Sequence, residues 1–237
     1  MAGAIIITRA EPGNDETAAR LAEREVAYIK APMLTLQATG HELPDMSDFA
    51  GLLFTSANGV RAFCEASGER GLTAWCVGPA TLAEAERSGF SDVMHGDGNA
   101  QDLAALVIET STPNAGKLLH MANAAAAGNL AKTLQSAGFK VEFSPLYAAI
   151  PAEAVPAEAA AALAGSAACI VLVHSAKGAE AFANLTERLD LSIHHLVAVS
   201  KAAAAPLLSR NFKRVHVAAR PNEAALLATL FLSLIHI

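Results

Sequence analysis

Several short loops in this chain carry side chains suited to holding anions. The stretch Leu52 to Arg61, LLFTSANGVR, ends an apolar run in Thr55, Ser56, Ala57 and Asn58 and then starts a helix at once. VLVHSAKGAE repeats the pattern with His174, Ser175, Ala176 and Lys177. Small residues at such a turn leave the N–H groups of the first helical turn open, and together with the helix dipole they attract carboxylate or phosphate. Thr8-Arg9, Gly78-Pro79-Ala80-Thr81, His120 to Asn123 and Ser200-Lys201 fall at comparable strand ends, and Arg9, Arg61, Lys177 and Lys201 add positive charge. Taken singly, each Ser or Asn is equally well a helix cap; the recurrence of the motif favours ligand contact. His120 and His174 are candidate donors or structural histidines. Tyr147 is a candidate proton donor, or a ring that only packs.

Other chemistries find little support. No GxGxxG follows a strand and no GxxxxGK[ST] occurs, so a nucleotide site is disfavoured. Ser56 and Ser175 lack the GxSxG elbow of a hydrolase. None of the eight His shows a metal-ligand spacing, so a metal site is disfavoured.

The elements that must position these loops are strand-helix units. Ala4 to Ile7, Val26 to Lys30, Leu52 to Phe54, Ala74 to Val77, Asp92 to Met94, Lys117 to Met121, Cys169 to Val173, Leu196 to Val199 and Arg214 to Val217 read as strands. Most are followed by a helical pattern, including one predicted through the alanine run Ala124 to Ala127 and on to Leu134. Val141 to Ile150 is extended, broken by Pro145 and closed by Pro151. The decapeptides 54–63 and 173–182 share Ser, Ala, Gly, Ala and Phe at matching places. Leu21 and Pro32 are echoed by Leu134 and Pro145, so a short βαβ piece and a three-unit piece each occur twice, in alternation. Either each short piece joins the long piece after it, or the middle long piece joins the second short one while the chain's ends join each other. Both assemblies give two lobes of five parallel strands with helices on both faces, binding ligands at the strands' carboxyl ends. The extended residues after each of those prolines suit a two-stranded hinge.

Two α/β lobes fit 237 residues, 53% of them hydrophobic and 17% charged. A net charge of -6 argues against a general nucleic-acid binder. Cys64, Cys76 and Cys169 show no paired spacing and read as buried thiols in a reducing compartment. The start MAGAIIITR reads as a first strand rather than a leader, and no apolar run is long enough to span a membrane. The apolar Leu230 to Ile237 is either a last helical turn or a non-native extension.

With these residues in place, the chain resembles the uroporphyrinogen-III synthase family. The matching motifs are IIITR at Ile5 to Arg9, FTSANGV, CVGPAT at Cys76 to Thr81, PLY at Pro145 to Tyr147, VLVHSAKG, and RPNEAALLATL at Arg220 to Leu230. The resemblance implies an α/β fold of two flavodoxin-like lobes joined by a two-stranded β-ladder hinge. It places residues 1–34 with 151–237 in one lobe, 38–146 in the other, and the hinge strands near 33–37 and 146–150. It implies a cytoplasmic, monomeric lyase of haem and tetrapyrrole biosynthesis that needs no cofactor or metal and dehydrates and cyclises hydroxymethylbilane with inversion of ring D, receiving it from hydroxymethylbilane synthase. Tyr147 takes the place of the family's functional tyrosine, and Thr81 that of a family threonine. Two segments depart from the pattern: Ser200-Lys201-Ala202-Ala203 stands where G-P-x-T is common, and MANAAAAGNL lacks an expected Arg-Gly pair. The rival readings are a non-catalytic two-lobed binder of an anionic small molecule and, with less support, a nucleotide-dependent Rossmann enzyme.

Overall fold

A computed structural model describes residues 3–126 and 129–234 of the chain. It begins with β1 (Ile5–Ile7), α1 (Gly13–Ala22), β2 (Tyr28–Lys30) and β3 (Leu34–Ala38). A 3-10 turn leads into β4 (Phe49–Phe54), α2 (Ala57–Ala66), β5 (Thr73–Cys76), α3 (Pro79–Arg87), β6 (Val93–His95) and α4 (Ala100–Thr110). Next come β7 (Lys117–Asn123), α5 (Leu130–Ser136), β8 (Lys140–Pro151) and α6 (Ala157–Ala164). The chain closes with β9 (Ile170–Val173), α7 (Ala176–Leu185), β10 (His195–Ala198), α8 (Lys201–Ala204), β11 (Arg214–Val217) and α9 (Glu223–Leu234). Two compact units result: unit 1 is Met1–Leu36 with Ile150–Ile237, and unit 2 is Gln37–Ala149.

In unit 1 the strand order is β11-β10-β9-β1-β2, and every pair is parallel. This is the doubly wound 2-1-3-4-5 order of flavodoxin-like sheets. Ile5–Ile7 and Ile170–Val173 are buried throughout, as central parallel strands covered on both faces must be. Leu21, Leu172, Val197, Leu226 and Leu230 join them in the core.

Unit 2 has the order β3-β8-β7-β4-β5-β6. Counting β7 and β8 as first and second and β4 to β6 as third to fifth gives the same spatial order, with β3 added beside β8. Thus β1 pairs with β9 and β4 with β7, which is the second of the two assemblies the chain order permits. Phe54 and Phe63 meet edge to face with ring centroids 5.9 Å apart, and Phe90 joins them. Phe182, the repeat's counterpart of Phe63, is likewise fully buried, in unit 1.

Three local features differ from the sequence expectation. The strand β8 runs through Pro145 instead of breaking there, because the register against β7 shifts at that point: Ala122 pairs with Pro145 and Asn123 with Tyr147. A proline has no N–H for the ladder and is accommodated where pairing is irregular. The helix predicted from the alanine run starts only at Leu130. Asn123 Oδ1 accepts the Ala125 N–H and Asn123 O accepts that of Ala126, making a turn; Ala127 and Gly128 lie outside the described residues. The helix α8 lasts four residues before Pro206 turns it into a 3-10 segment. Of the apolar tail, Leu230–Leu234 belongs to α9 and Ile235–Ile237 lies outside the described residues, as do Met1 and Ala2.

Among the described residues, no helix is long and apolar enough to cross a membrane, and no group of three His, Cys, Asp or Glu gathers to hold a metal. Cys64, Cys76 and Cys169 are free thiols, and burial pushes Cys76 up to about 12. Phe63→Ala is expected to destabilise unit 2 by about 3–5 kcal/mol, the usual cost of emptying an aromatic site in a packed core. The single tryptophan, Trp75, is buried in the same unit and reports the change by fluorescence in urea. An unshifted midpoint would contradict this packing.

Candidate active site

Ligands of doubly wound sheets bind at the carboxyl ends of the strands, where the strand order reverses. In unit 2 that point lies between β7 and β4. There Ser56, in extended conformation, accepts the Gly59 N–H on Oγ at 3.2 Å and so starts α2. Gly59 is required by closeness, since a Cβ there would lie 3.0 Å from the Met121 carbonyl oxygen of β7. The N–H groups of Ala57 and Asn58, in the first turn, have no acceptor within the helix.

The register shift in β8 aims Tyr147 at this turn. Its hydroxyl lies 2.8 Å from Ser56 Oγ. Burial raises the phenol's pKa and the Ser56 hydrogen bond lowers it, with a net upward shift, so Tyr147 keeps its proton at neutral pH. Beside it Thr55 Oγ1 is 3.3 Å from His120 Nε2. The His120 ring stacks edge-on against Phe143, and burial lowers its pKa to about 4, so the ring is neutral. Asn58 Oδ1 accepts from Arg61 at 3.0 Å, while the other end of that guanidinium grips Glu84, which also binds Arg87. Burial works against the Glu84 charge, yet Arg87 and Arg61 hold its pKa below the usual range. In the neighbouring loop Gly78 starts α3, Pro79 takes the first helical position and Thr81 is buried on its first turn.

In unit 1 the order reverses between β1 and β9. Ser175 repeats the Ser56 cap, accepting the Gly178 N–H at 3.1 Å, with Ala176 and exposed Lys177 in the first turn. Ser200 caps α8 through the Ala203 N–H at 3.2 Å, and Lys201 is exposed. Because α8 is so short, its dipole offers less to an anion than those of α2 and α7. Ala203 occupies the place that Thr81 has in unit 2. Thr8 is buried and donates to Leu172 O at 2.6 Å, which makes it a strand fastener. His174 Nε2 lies 3.0 Å from Glu223 Oε2.

The structure therefore brings together Thr55, Ser56, Asn58 and Tyr147 in unit 2, and Arg9 and His174 in unit 1. It changes the expectation for two cations. Arg61 is engaged by Glu84, and Arg9 lies near Glu16 and Glu223, so each faces acidic groups of its own unit. Glu223 was missed from the sequence. Its only local signal is the Asn222 cap of α9, which reads as a helix start and nothing more. Burial opposes the Glu223 charge, but hydrogen bonds from His174 and Thr17 and the nearby charges outweigh it and lower its pKa to about 2.

These features define a class: a protein of two flavodoxin-like units, each with a serine-capped helix start at its strand ends, and with a buried protonated phenol beside one of them. Residues 15–228 match the family model for uroporphyrinogen-III synthase HemD. The chain belongs to the uroporphyrinogen-III synthase family, a family of lyases. No curated protein sequence matches it. Among solved structures, the uroporphyrinogen-III synthetase of Helicobacter pylori is 17% identical, with a TM-score of 0.70, covering 99% of this chain and 100% of that one. A mutant uroporphyrinogen III synthase from the extremely thermophilic bacterium Thermus thermophilus is 16% identical, with a TM-score of 0.55 and 100% of each chain covered. At such identities the likeness speaks to the fold.

Two acid windows follow from the site. His120 is neutral in the fold with its pKa lowered from 6.5 to about 4, so stability present above pH 6.5 is lost as pH falls towards 4. Glu223, lowered from 4.5 to about 2, gives stability that is present above pH 4.5 and lost as pH falls towards 2. Each loss is on the order of 3 kcal/mol. Urea midpoints measured across pH should show His120→Gln abolishing the first slope and Glu223→Gln the second; unchanged slopes would contradict both assignments.

Proposed function

We propose that this protein converts hydroxymethylbilane into uroporphyrinogen III. The observation that carries the reading is the family match across residues 15–228. The substrate is a flexible chain bearing eight carboxylates, and an enzyme of net charge -6 must hold them through local groups. The open N–H groups after Ser56 and Ser175, the hydroxyls of Thr55 and Thr81, and the first turns at Gly78-Pro79 and Ser200-Lys201 are suited to that task.

Tyr147 is assigned as the general acid. Its phenol protonates the terminal hydroxyl, which leaves as water while the adjacent pyrrole nitrogen pushes electrons to form an azafulvene cation. The substituted carbon of ring D attacks that cation, the spiro intermediate reopens, and closure in the inverted sense releases a proton that restores the phenol. Orientation of the bent chain decides which closure wins, and this is where binding energy is used.

We further infer that residues 1–34 with 151–237 and residues 38–146 act as lobes that move about strands near 33–37 and 146–150. The protein is proposed to work as a cytoplasmic monomer without cofactor or metal, fed by hydroxymethylbilane synthase. Three free thiols suit the reducing compartment this requires.

The test supplies hydroxymethylbilane and separates the oxidised uroporphyrin isomers. The reading expects isomer III in excess from the wild type; isomer I alone from folded protein would overturn it and favour a binder. Tyr147→Phe should cut kcat about a hundredfold, the scale of a lost general acid, with KM little changed. Ser56 Oγ keeps the Gly59 N–H in that variant, so folding is preserved.

A further inference from the structure

Glu223 is the first residue of α9, yet its carboxylate reaches back to the strand ends of β1 and β9 and meets several donors there. Thr17 Oγ1 is 2.7 Å away, His174 Nε2 3.0 Å, an Arg9 nitrogen 3.6 Å and an Arg20 nitrogen 3.8 Å. An ionised carboxylate only accepts, so His174 presents Nε2–H to it. A hydroxyl, an imidazole N–H and two guanidinium groups form the surroundings that a ligand's carboxylate would seek.

The donors are not held equally. Thr17, fully buried, and His174, half-buried, make hydrogen bonds of normal length to Glu223. Arg9 makes only long contacts, 3.3 Å to Gly13 O, 3.5 Å to Glu16 and 3.6 Å to Glu223, and 32% of its side chain is exposed. Its guanidinium rests across Gly13, where an added Cβ would collide with Nε. In unit 2, by contrast, Arg61 is built in: it makes a short contact to Glu84 and a second bond to Asn58. Arg61 is thus a fixture of its unit, whereas Arg9 is lodged loosely on a glycine seat beside two carboxylates.

We propose that Glu223 is an internal stand-in for a substrate carboxylate: in the ligand-free protein it and Glu16 hold Arg9, and a carboxylate of the linear tetrapyrrole takes Arg9 from them on binding. Thr17 and His174 retain Glu223 in place, so the exchange moves one side chain and leaves α9 docked. The loose ion pairs are weak enough to be exchanged, while a ligand carboxylate can take the guanidinium in the stronger bidentate form. Glu223 then sets affinity for the substrate by competing for its ligand. The inference rests on the function proposed above for the identity of the anion.

The test titrates uroporphyrin I, a ready-made octacarboxylate, into the wild type, Glu223→Gln and Glu16→Gln, each with and without Arg9→Ala, and reads the quenching of porphyrin fluorescence. Glu223→Gln should bind about two- to fivefold more tightly, the range of an exposed ion pair removed from competition. Glu16→Gln should show a smaller gain, and it keeps the test decisive if Glu223→Gln does not fold. Both gains should vanish in the Arg9→Ala background. Unchanged or weaker binding in the folded single variants, a gain that survives loss of Arg9, or no binding by any of the proteins would overturn the exchange. Isomer III formation by the wild type, measured in parallel, judges the functional reading separately.

Discussion

Everything at the strand ends depends on two parallel pairings between parts of the chain that are far apart in sequence. In unit 1, Ile5 pairs with Ile170, and in unit 2, Leu52 pairs with Leu119. Each lies where the strand order of its sheet reverses, so the loops following the paired strands diverge to opposite faces and leave their polar residues open. Ile6, Leu53 and Val171 are fully buried in these strands, which are packed on both faces. Ser56 and Ser175, and the residues around them, take their positions from those pairings.

On this frame the two units repeat one device and differ in how they use it. Both start a helix with a serine that takes the N–H three residues on, followed by a glycine close against its surroundings. Unit 2 adds chemistry, because the irregular pairing of β8 sets a buried phenol against Ser56. Unit 1 instead gathers the guanidinium groups of Arg9 and Arg20 and the imidazole of His174 around one carboxylate. Under the proposed function, a chain of net charge -6 meets a polyanion through local groups, Arg9 in the proposed exchange being one of them.

The fold was largely legible because its signals are local. Ile5–Ile7 and Ile170–Val173 are short apolar runs dominated by β-branched residues, and the matching Ser, Gly and Phe of the two decapeptides disclose the repeat. Tertiary context hid the rest. The alanine run favours helix by propensity, yet the Asn123 side chain diverts Ala125 into a turn. Pro145 looks like a strand breaker until β8 itself admits it by leaving Leu146 out of the pairing with β7. The ion pairs of Arg9 and Arg61 were not legible because their acids, Glu223 and Glu84, come from other elements. Tyr147 stands out in the sequence as a candidate proton donor, but its bond to Ser56 joins residues that only the sheet brings together.

The central claim is the proposal that the strand-end turns of each unit bind carboxylates, and backbone amide NMR of isotope-labelled protein titrated with uroporphyrinogen III tests it most directly. The account predicts shifts concentrated at Ala57 to Gly59 and at Ala176 to Gly178, with Gly51 and Lys117 at the amino ends of β4 and β7 unmoved. Shifts confined to one unit, or spread over the amino ends of the strands, would contradict it.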